Sequence, residues 1–166
     1  INDGSTDKTC EFIKYYDDPR IKLVHNMANI GLTKSLNTGL RLALGEYIAR
    51  MDYDDLSMPK RLEDQVKYLD EHPEVMIVGG QFDLIDSGGS VLPIPPVKKA
   101  PGMEGLLLHL AIDNPFVHSS VMFRKDTVME LGGYNEEYRT SQDIELWSRL
   151  LCSYKGANLQ SKVVHL

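Results

Sequence analysis

Cysteine is scarce in this chain of 166 residues: Cys10 and Cys152 stand near opposite ends, without C-x-x-C spacing. Neither a disulfide framework nor a thiolate zinc site is available, a usage that fits a reducing compartment. Long hydrophobic runs are missing too. Stretches such as Leu106–Leu108 and Val75–Val78 fall far short of the roughly 20 apolar residues of a membrane-spanning helix, so no transmembrane segment is expected in this chain. There is no basic block: 18 Lys and Arg face 24 Asp and Glu, a formal charge of −6. That balance argues against a phosphate backbone, and so against nucleic acid, as a partner. The G-x-G-x-x-G, Walker, H-E-x-x-H and G-x-S-x-G patterns are all absent, which removes the usual signals of nucleophilic-serine and zinc hydrolysis. What is present, 42% apolar and 25% charged residues, suits one globular domain with a core of its own.

Hydrophobic spacing then orders the chain. Ser5 is placed to cap a first helix with Asp7 in its first turn and Cys10, Ile13 and Tyr16 on one face; Asp17-Asp18-Pro19 ends it. Ile21–Val24 reads as a short buried strand. Leu32, Leu36, Leu40 and Ala43 predict a helix stopped at Gly45, and Glu46–Met51 predicts a strand running into the turn Asp52-Tyr53-Asp54-Asp55. Ser57 and Pro59 open a helix whose stripe is Leu62, Val66 and Leu69. Val75–Val78 is a strand, and a hairpin turns at Ser87-Gly88-Gly89-Ser90. Pro93, Pro95, Pro96 and Pro101 forbid regular structure in a loop. Met103–Leu110 and Asp126–Leu131 read as helices, the second closed by Gly132-Gly133, with a strand at Val121–Phe123 and a last helix over Gln142–Leu151 capped by Ser141. Alternating strands and helices imply an α/β layer with a mostly parallel sheet flanked by helices. In such a layer ligands bind beyond the carboxyl ends of the strands, where both Asp3 and the 52–55 turn stand.

Fourteen aspartates make about one D-x-D triplet expected by accident, so Asp52-Tyr53-Asp54 gains meaning only from its place. Three carboxylates within four residues repel unless solvent or a cation screens them, and a hard divalent ion such as Mg²⁺ or Mn²⁺ suits oxygen ligands. His118, ahead of Ser119-Ser120, lies at an expected crevice edge in a capping, packing or catalytic role.

Asn2-Asp3-Gly4-Ser5-Thr6-Asp7, Asn29-Ile30-Gly31, Leu36 through Leu40, and Gly45 through Asp55 closely resemble family 2 glycosyltransferases of the GT-A fold, in order and in spacing. Pro59 through Gln65, His118 through Arg124, Leu131 through Tyr134 and Gln142 through Trp147 extend the likeness over nearly the whole chain. The resemblance implies a single GT-A domain over residues 1–166, lacking a first strand ahead of Ile1 and cut short at its C-terminal end. The sheet edge so exposed invites self-association, and a homo-oligomer is expected.

The resemblance further implies sugar transfer from a nucleotide-diphosphate sugar, with uridine diphosphate the usual nucleotide, to a sugar or lipid-linked acceptor. Asp3 is then expected near the base and ribose and Asp52 near the nucleotide sugar, with Ser5, Asn29, Lys34 and Tyr53 completing the donor pocket. Asp54, assisted by Asp55, would hold the divalent metal on the diphosphate, and Asp143 would be the base of an inverting reaction. Gln142 stands where the family has Glu, and Leu36 where some relatives carry Arg, a place Lys34 could fill. His118 and Trp147 are expected on the acceptor side, Trp147 either stacking on a sugar or anchoring its helix. The absence of Q-x-x-R-W favours transfer of one sugar, in cell-surface polysaccharide or lipopolysaccharide synthesis, in the cytoplasm or at the inner face of the membrane. Two alternatives stay open: a haloacid-dehalogenase-like phosphatase with Asp52 as nucleophile, against which Leu56 speaks, and a non-catalytic domain that binds sugar nucleotides or a partner.

Overall fold

Helix, strand and turn follow the hydrophobic spacing closely in the middle of the chain and less closely at its ends. The computed structural model describes residues 1–93 and 105–166. The expected loop at Pro95, Pro96 and Pro101 and the expected helix start at Met103 lie outside the described residues. In chain order the elements are α1 (Thr9–Lys14), α2 (Leu32–Leu42), β1 (Tyr47–Ala49), β2 (Leu56–Ser57), α3 (Arg61–Glu71), β3 (Val75–Asp83), α4 (Leu106–Leu110), β4 (Met122–Arg124), α5 (Lys125–Glu130), α6 (Gln142–Ser153) and β5 (Lys155–His165). A 3₁₀ turn at His118–Ser120 precedes β4.

The five strands form one sheet in the order β1-β4-β3-β5-β2. It is mixed rather than mostly parallel: only β3 and β5 pair in parallel, while β4 is antiparallel to both β1 and β3, and β2 to β5. β1, β3 and β5 nonetheless share one direction, and β4 is wedged between β1 and β3 against it. Its start therefore lies beside the end of β1, where the Arg50 N–H donates to the Val121 carbonyl at 3.1 Å. That inversion brings the segment around His118 to the acidic turn.

Both faces of the sheet are covered, as the alternation of strands and helices implies. On one face Ile77 and Phe123 pack with Leu146, Trp147 and Leu150 of α6; on the other Val75, Val78 and Met122 pack with Leu69 of α3. Adjacent Met122 and Phe123 go to opposite faces because side chains alternate along a strand. The buried face of α3 differs from expectation: Arg61, Gln65 and Leu69 are inside and Leu62 is exposed.

The ends depart further. Ile21–Val24 forms no strand; one parallel bridge joins Asn2 to His25. α1 buries no side chain, and Asp7 rather than Ser5 serves its first turn, accepting from the Thr9 N–H at 3.0 Å. Ser141 makes no side-chain cap on α6 and sits in the left-handed region at φ 57°. The hairpin is present as a bridge between Ile85 and Val91. Of the described strands β5 is the longest, and nothing in the hydrophobic spacing announced it.

Candidate active site

The acidic turn leaves the carboxyl end of β1, as expected of an α/β sheet. Asp52 does not stand free there. Arg50, 6% exposed, grips both its oxygens. Ser119 ties in β4's approach: its hydroxyl donates to Asp52 Oδ2 at 3.0 Å and accepts from Arg50 Nη1 at 3.0 Å and the Asp52 N–H at 3.1 Å. A bidentate guanidinium fixes a carboxylate in plane. A carboxylate so occupied is unsuited to the nucleophilic role that the phosphatase alternative requires. Beneath it the Arg61 guanidinium donates to the carbonyls of Arg50 at 2.7 Å and Val121 at 3.1 Å, and Gln65 donates to that of Ser120 at 2.7 Å. Burial, then Arg50, lowers the Arg61 pKa to about 10, opposed by Asp55.

Asp3 is likewise committed to its surroundings. Its carboxylate accepts from the Ile30 and Gly31 N–H groups, each at 2.9 Å, and from Asn26 Nδ2 at 2.8 Å. Burial raises its pKa, but these donors outweigh it and the net shift is downward. Asp3 thus shapes the loop that enters α2. Asn29 and Lys34 line a cavity of about 460 Å³ with Thr33, Tyr138 and Arg139. Leu32 belongs both to it and to a second cavity of about 470 Å³, lined by Arg50, Asp52, Tyr53, Ser35 and Tyr134. The two spaces adjoin at the head of α2. Ser5 is exposed, its backbone N–H held by Asn2 Oδ1 at 2.9 Å.

His118 and Tyr134 meet at the far wall, with His118 Nε2 at 3.0 Å from the Tyr134 hydroxyl. Tyr134 is held by Asn37, whose side-chain amide bonds both its N–H and its carbonyl, at 2.9 and 2.8 Å. Gly133 must be glycine for this approach: its φ is +72°, and a Cβ there would stand 2.8 Å from Asn37 Oδ1. Burial pushes the His118 pKa down to about 4, Arg50 adds to that, and Asp143 and Asp52 oppose it. Burial raises the Tyr134 phenol above its ordinary range, and the same three groups act on it. Asp52 is bonded to Ser119, the neighbour of His118, and Asp143 stands one turn before Trp147, whose ring lies 6.0 Å from that of His118. Both acids thus act on one buried His–Tyr pair. Asp143, in the first turn of α6, accepts from Asn114 Nδ2 at 2.8 Å.

Trp147 is fully enclosed, edge-on to Phe116 and His118 at ring distances of 6.0 Å. It anchors α6 in the core, and its stacking on a sugar, one of the two roles expected of it, is not available. Among the described residues no three Cys, His, Asp or Glu side chains are gathered closely enough to cage a metal ion. Asp54 is exposed and Asp55 half-buried. Hard divalent ions in phosphate chemistry commonly take one or two carboxylates and complete their shell with phosphate oxygens and water. Asp54 fits an ion held in that shared way, and the Arg50-bound Asp52 does not.

Sequence reasoning missed Arg50, Arg61, Gln65, Asn114, Ser119 and Tyr134 as parts of the site. One signal was there to find: Arg50 interrupts an apolar strand directly ahead of the acids.

The family described as Glycosyl transferase family 2 matches residues 1–130. EpsE of Bacillus subtilis is 39% identical over 96% of this chain and 58% of its own length. The amylovoran biosynthesis glycosyltransferase AmsE of Erwinia amylovora is 36% identical over 74% of this chain and 45% of its own. The chain spans about half the length of these curated relatives. Among solved structures, S. aureus TarS 1-349 in complex with UDP-GlcNAc superposes with a TM-score of 0.79 at 18% identity, covering 99% of this chain and 47% of that one. The mannosyltransferase PcManGT of Pyrobaculum calidifontis, in complex with GDP-Man and Mn²⁺, gives 0.70 at 19%, covering 99% and 45%. At such identities the likeness shows the fold, and the α/β GT-A expectation holds. No helix among the described residues is long and apolar enough to cross a membrane.

Proposed function

This chain belongs to glycosyl transferase family 2, and from that premise we propose that it moves one sugar, with inversion, from a nucleotide-diphosphate sugar to an acceptor hydroxyl. The observation that carries this reading is the arrangement about one buried His118–Tyr134 pair: Asp52 is bonded to Ser119 beside His118, and Asp143 stands on the helix whose Trp147 packs on that ring. An acceptor hydroxyl is a poor nucleophile at neutral pH, so a carboxylate must take its proton as it attacks. Asp143 accepts that proton; the acceptor oxygen bonds to the anomeric carbon as the bond to the diphosphate breaks, and the electron pair leaves with the diphosphate. Asp52, set by Arg50 and Ser119, orients the donor. Asp3 shapes the loop for base and ribose, Asn29, Lys34 and Tyr53 line the donor pocket, and Ser5 borders it. Asp54, with Asp55 nearby, would hold a divalent ion that stabilises the charge developing on the leaving group.

The relatives support the setting: one is an amylovoran biosynthesis glycosyltransferase, consistent with cell-surface polysaccharide and a sugar or lipid-linked acceptor. The solved neighbours hold UDP-GlcNAc, or GDP-Man with Mn²⁺, consistent with a nucleotide-sugar donor and a metal. A thermal-shift panel of UDP-, GDP- and dTDP-sugars on the intact protein, with and without Mn²⁺, tests the donor half. One nucleotide class should raise the melting temperature with Mn²⁺ present, and Asp54→Ala should remove the Mn²⁺-dependent part alone. A flat response to the whole panel counts against the reading.

A further inference from the structure

Asn114 lies on the loop between α4 and the 3₁₀ turn at His118, and its side-chain amide is fixed at both ends. Nδ2 donates to Asp143 Oδ2 at 2.8 Å, and Oδ1 accepts from the Phe116 N–H at 3.2 Å. These partners leave one orientation, because an ionised carboxylate only accepts and a backbone N–H only donates. The loop is anchored as firmly. Pro115 restricts the backbone beside Asn114, and its carbonyl accepts from Asn158 Nδ2 of β5 at 3.0 Å. Phe116, 1% exposed, packs edge-on against Trp147 of α6. The helix that Phe116 braces also carries Asp143, so donor and carboxylate are mounted on elements packed together. Ser141, two residues before Asp143, is the one non-glycine residue with positive φ among the described residues. Such backbone strain persists only where surrounding structure holds it.

We infer that Asn114 is a positioning residue for Asp143: its amide holds Oδ2 and leaves Oδ1 as the oxygen that takes the acceptor proton. This rests on the assignment of Asp143 as the base. Among the described residues Asn114 supplies the one side-chain hydrogen bond to that carboxylate. The other titratable or charged groups around it are His118 and Tyr134, on which Asp143, Arg50 and Asp52 all act. Asp113 stands beside Asn114 and accepts its N–H at 2.8 Å, and Glu145 on α6 is taken up by Arg149.

The test uses two variants of the intact protein. Asn114→Asp keeps an oxygen for the Phe116 N–H and replaces the donor with a second negative charge. Donor affinity should match wild type, while kcat falls by about tenfold to a hundredfold, the scale of a misplaced catalytic group. The acid limb of the kcat–pH profile should move to higher pH, because the charged carboxylate loses a donor and gains a like charge. Asn114→Ala should show the fall in kcat with a smaller displacement. Wild-type kcat and an unmoved acid limb in both variants would overturn the inference, as would a loss of folded protein that accounts for the whole fall. Asp143→Asn, assayed alongside, separates the two readings. If it retains transfer, the base assignment fails; if it is inactive while Asn114→Asp behaves as wild type, only the positioning role fails.

Discussion

Arg50 is 6% exposed, whereas the Asp52 side chain it grips is 42% exposed, so the two partners do not depend on each other equally. The buried guanidinium needs the carboxylate more than the carboxylate needs it, since an unpaired buried charge is the costly species. Asp52 therefore does structural work whatever it does for the donor, and a loss of activity on its removal would not by itself identify a donor contact. His118 offers a cleaner probe. Its folded pKa of about 4 lies below the unfolded value of 6.5. The unfolded chain thus binds the proton more readily, and stability falls as pH drops from about 6.5 towards 4. His118→Gln should flatten that part of the pH–stability curve, read by urea melts at pH 7 and pH 5; an unchanged slope would show that His118 is not held neutral. At this scale the acids were legible because charge in a turn stands out. Asn114 was not, because its partner Asp143 comes from a distant segment; nor was the bond of Arg50 to Ser119, although Asp52, its main partner, stands only two residues on.

The elements show where hydrophobic spacing misleads. Leu62, Val66 and Leu69 gave α3 a plausible apolar stripe, yet the helix is rotated so that Arg61 and Gln65 face inward. The reason lies in the strands above. β1 and β4 end at Ala49 and begin at Met122, and just outside the ladder the Val121 carbonyl has the Arg50 N–H, while the carbonyls of Arg50 and Ser120 need donors from elsewhere. Arg61 and Gln65 supply those donors, and Arg61 adds a second one to Val121. Arg61→Met, close in volume and apolar, leaves two buried acceptors unpaired, the Arg50 carbonyl and Gln65 Oε1. It should cost about 2–6 kcal/mol by chemical denaturation, at roughly 1–3 kcal/mol for each unsatisfied group; a neutral substitution would mean that water replaces the guanidinium. β5 was unreadable for a related reason. Its Gly156, Ala157, Asn158, Gln160, Ser161 and Lys162 carry little strand propensity. It is a strand because β3 offers it a parallel ladder and because Gly79 and Gly156 let the backbones approach Phe116 and Leu151.

Across the whole molecule, the α/β class and the two-sided burial of the sheet follow from alternating elements, but strand direction does not. The antiparallel β4 carries no local mark, and it is this strand that sets Ser119 against Asp52 and His118 within the field of Asp143. A net charge of −6 repels an anionic diphosphate at long range. Attraction for the diphosphate must therefore be local, from Lys34 and Arg139 beside one cavity and from the divalent ion proposed at Asp54. In the proposed reaction Asp52 serves the donor and Asp143 takes the acceptor proton, on either side of the His118–Tyr134 pair. The most direct measurement is the transfer rate and the donor affinity of Asp143→Asn in the intact protein, determined side by side. Transfer should fall by about a hundredfold to ten-thousandfold, the contribution of a positioned general base, with donor affinity unchanged. Transfer at the wild-type rate would contradict the account, as would a fall explained entirely by lost donor binding.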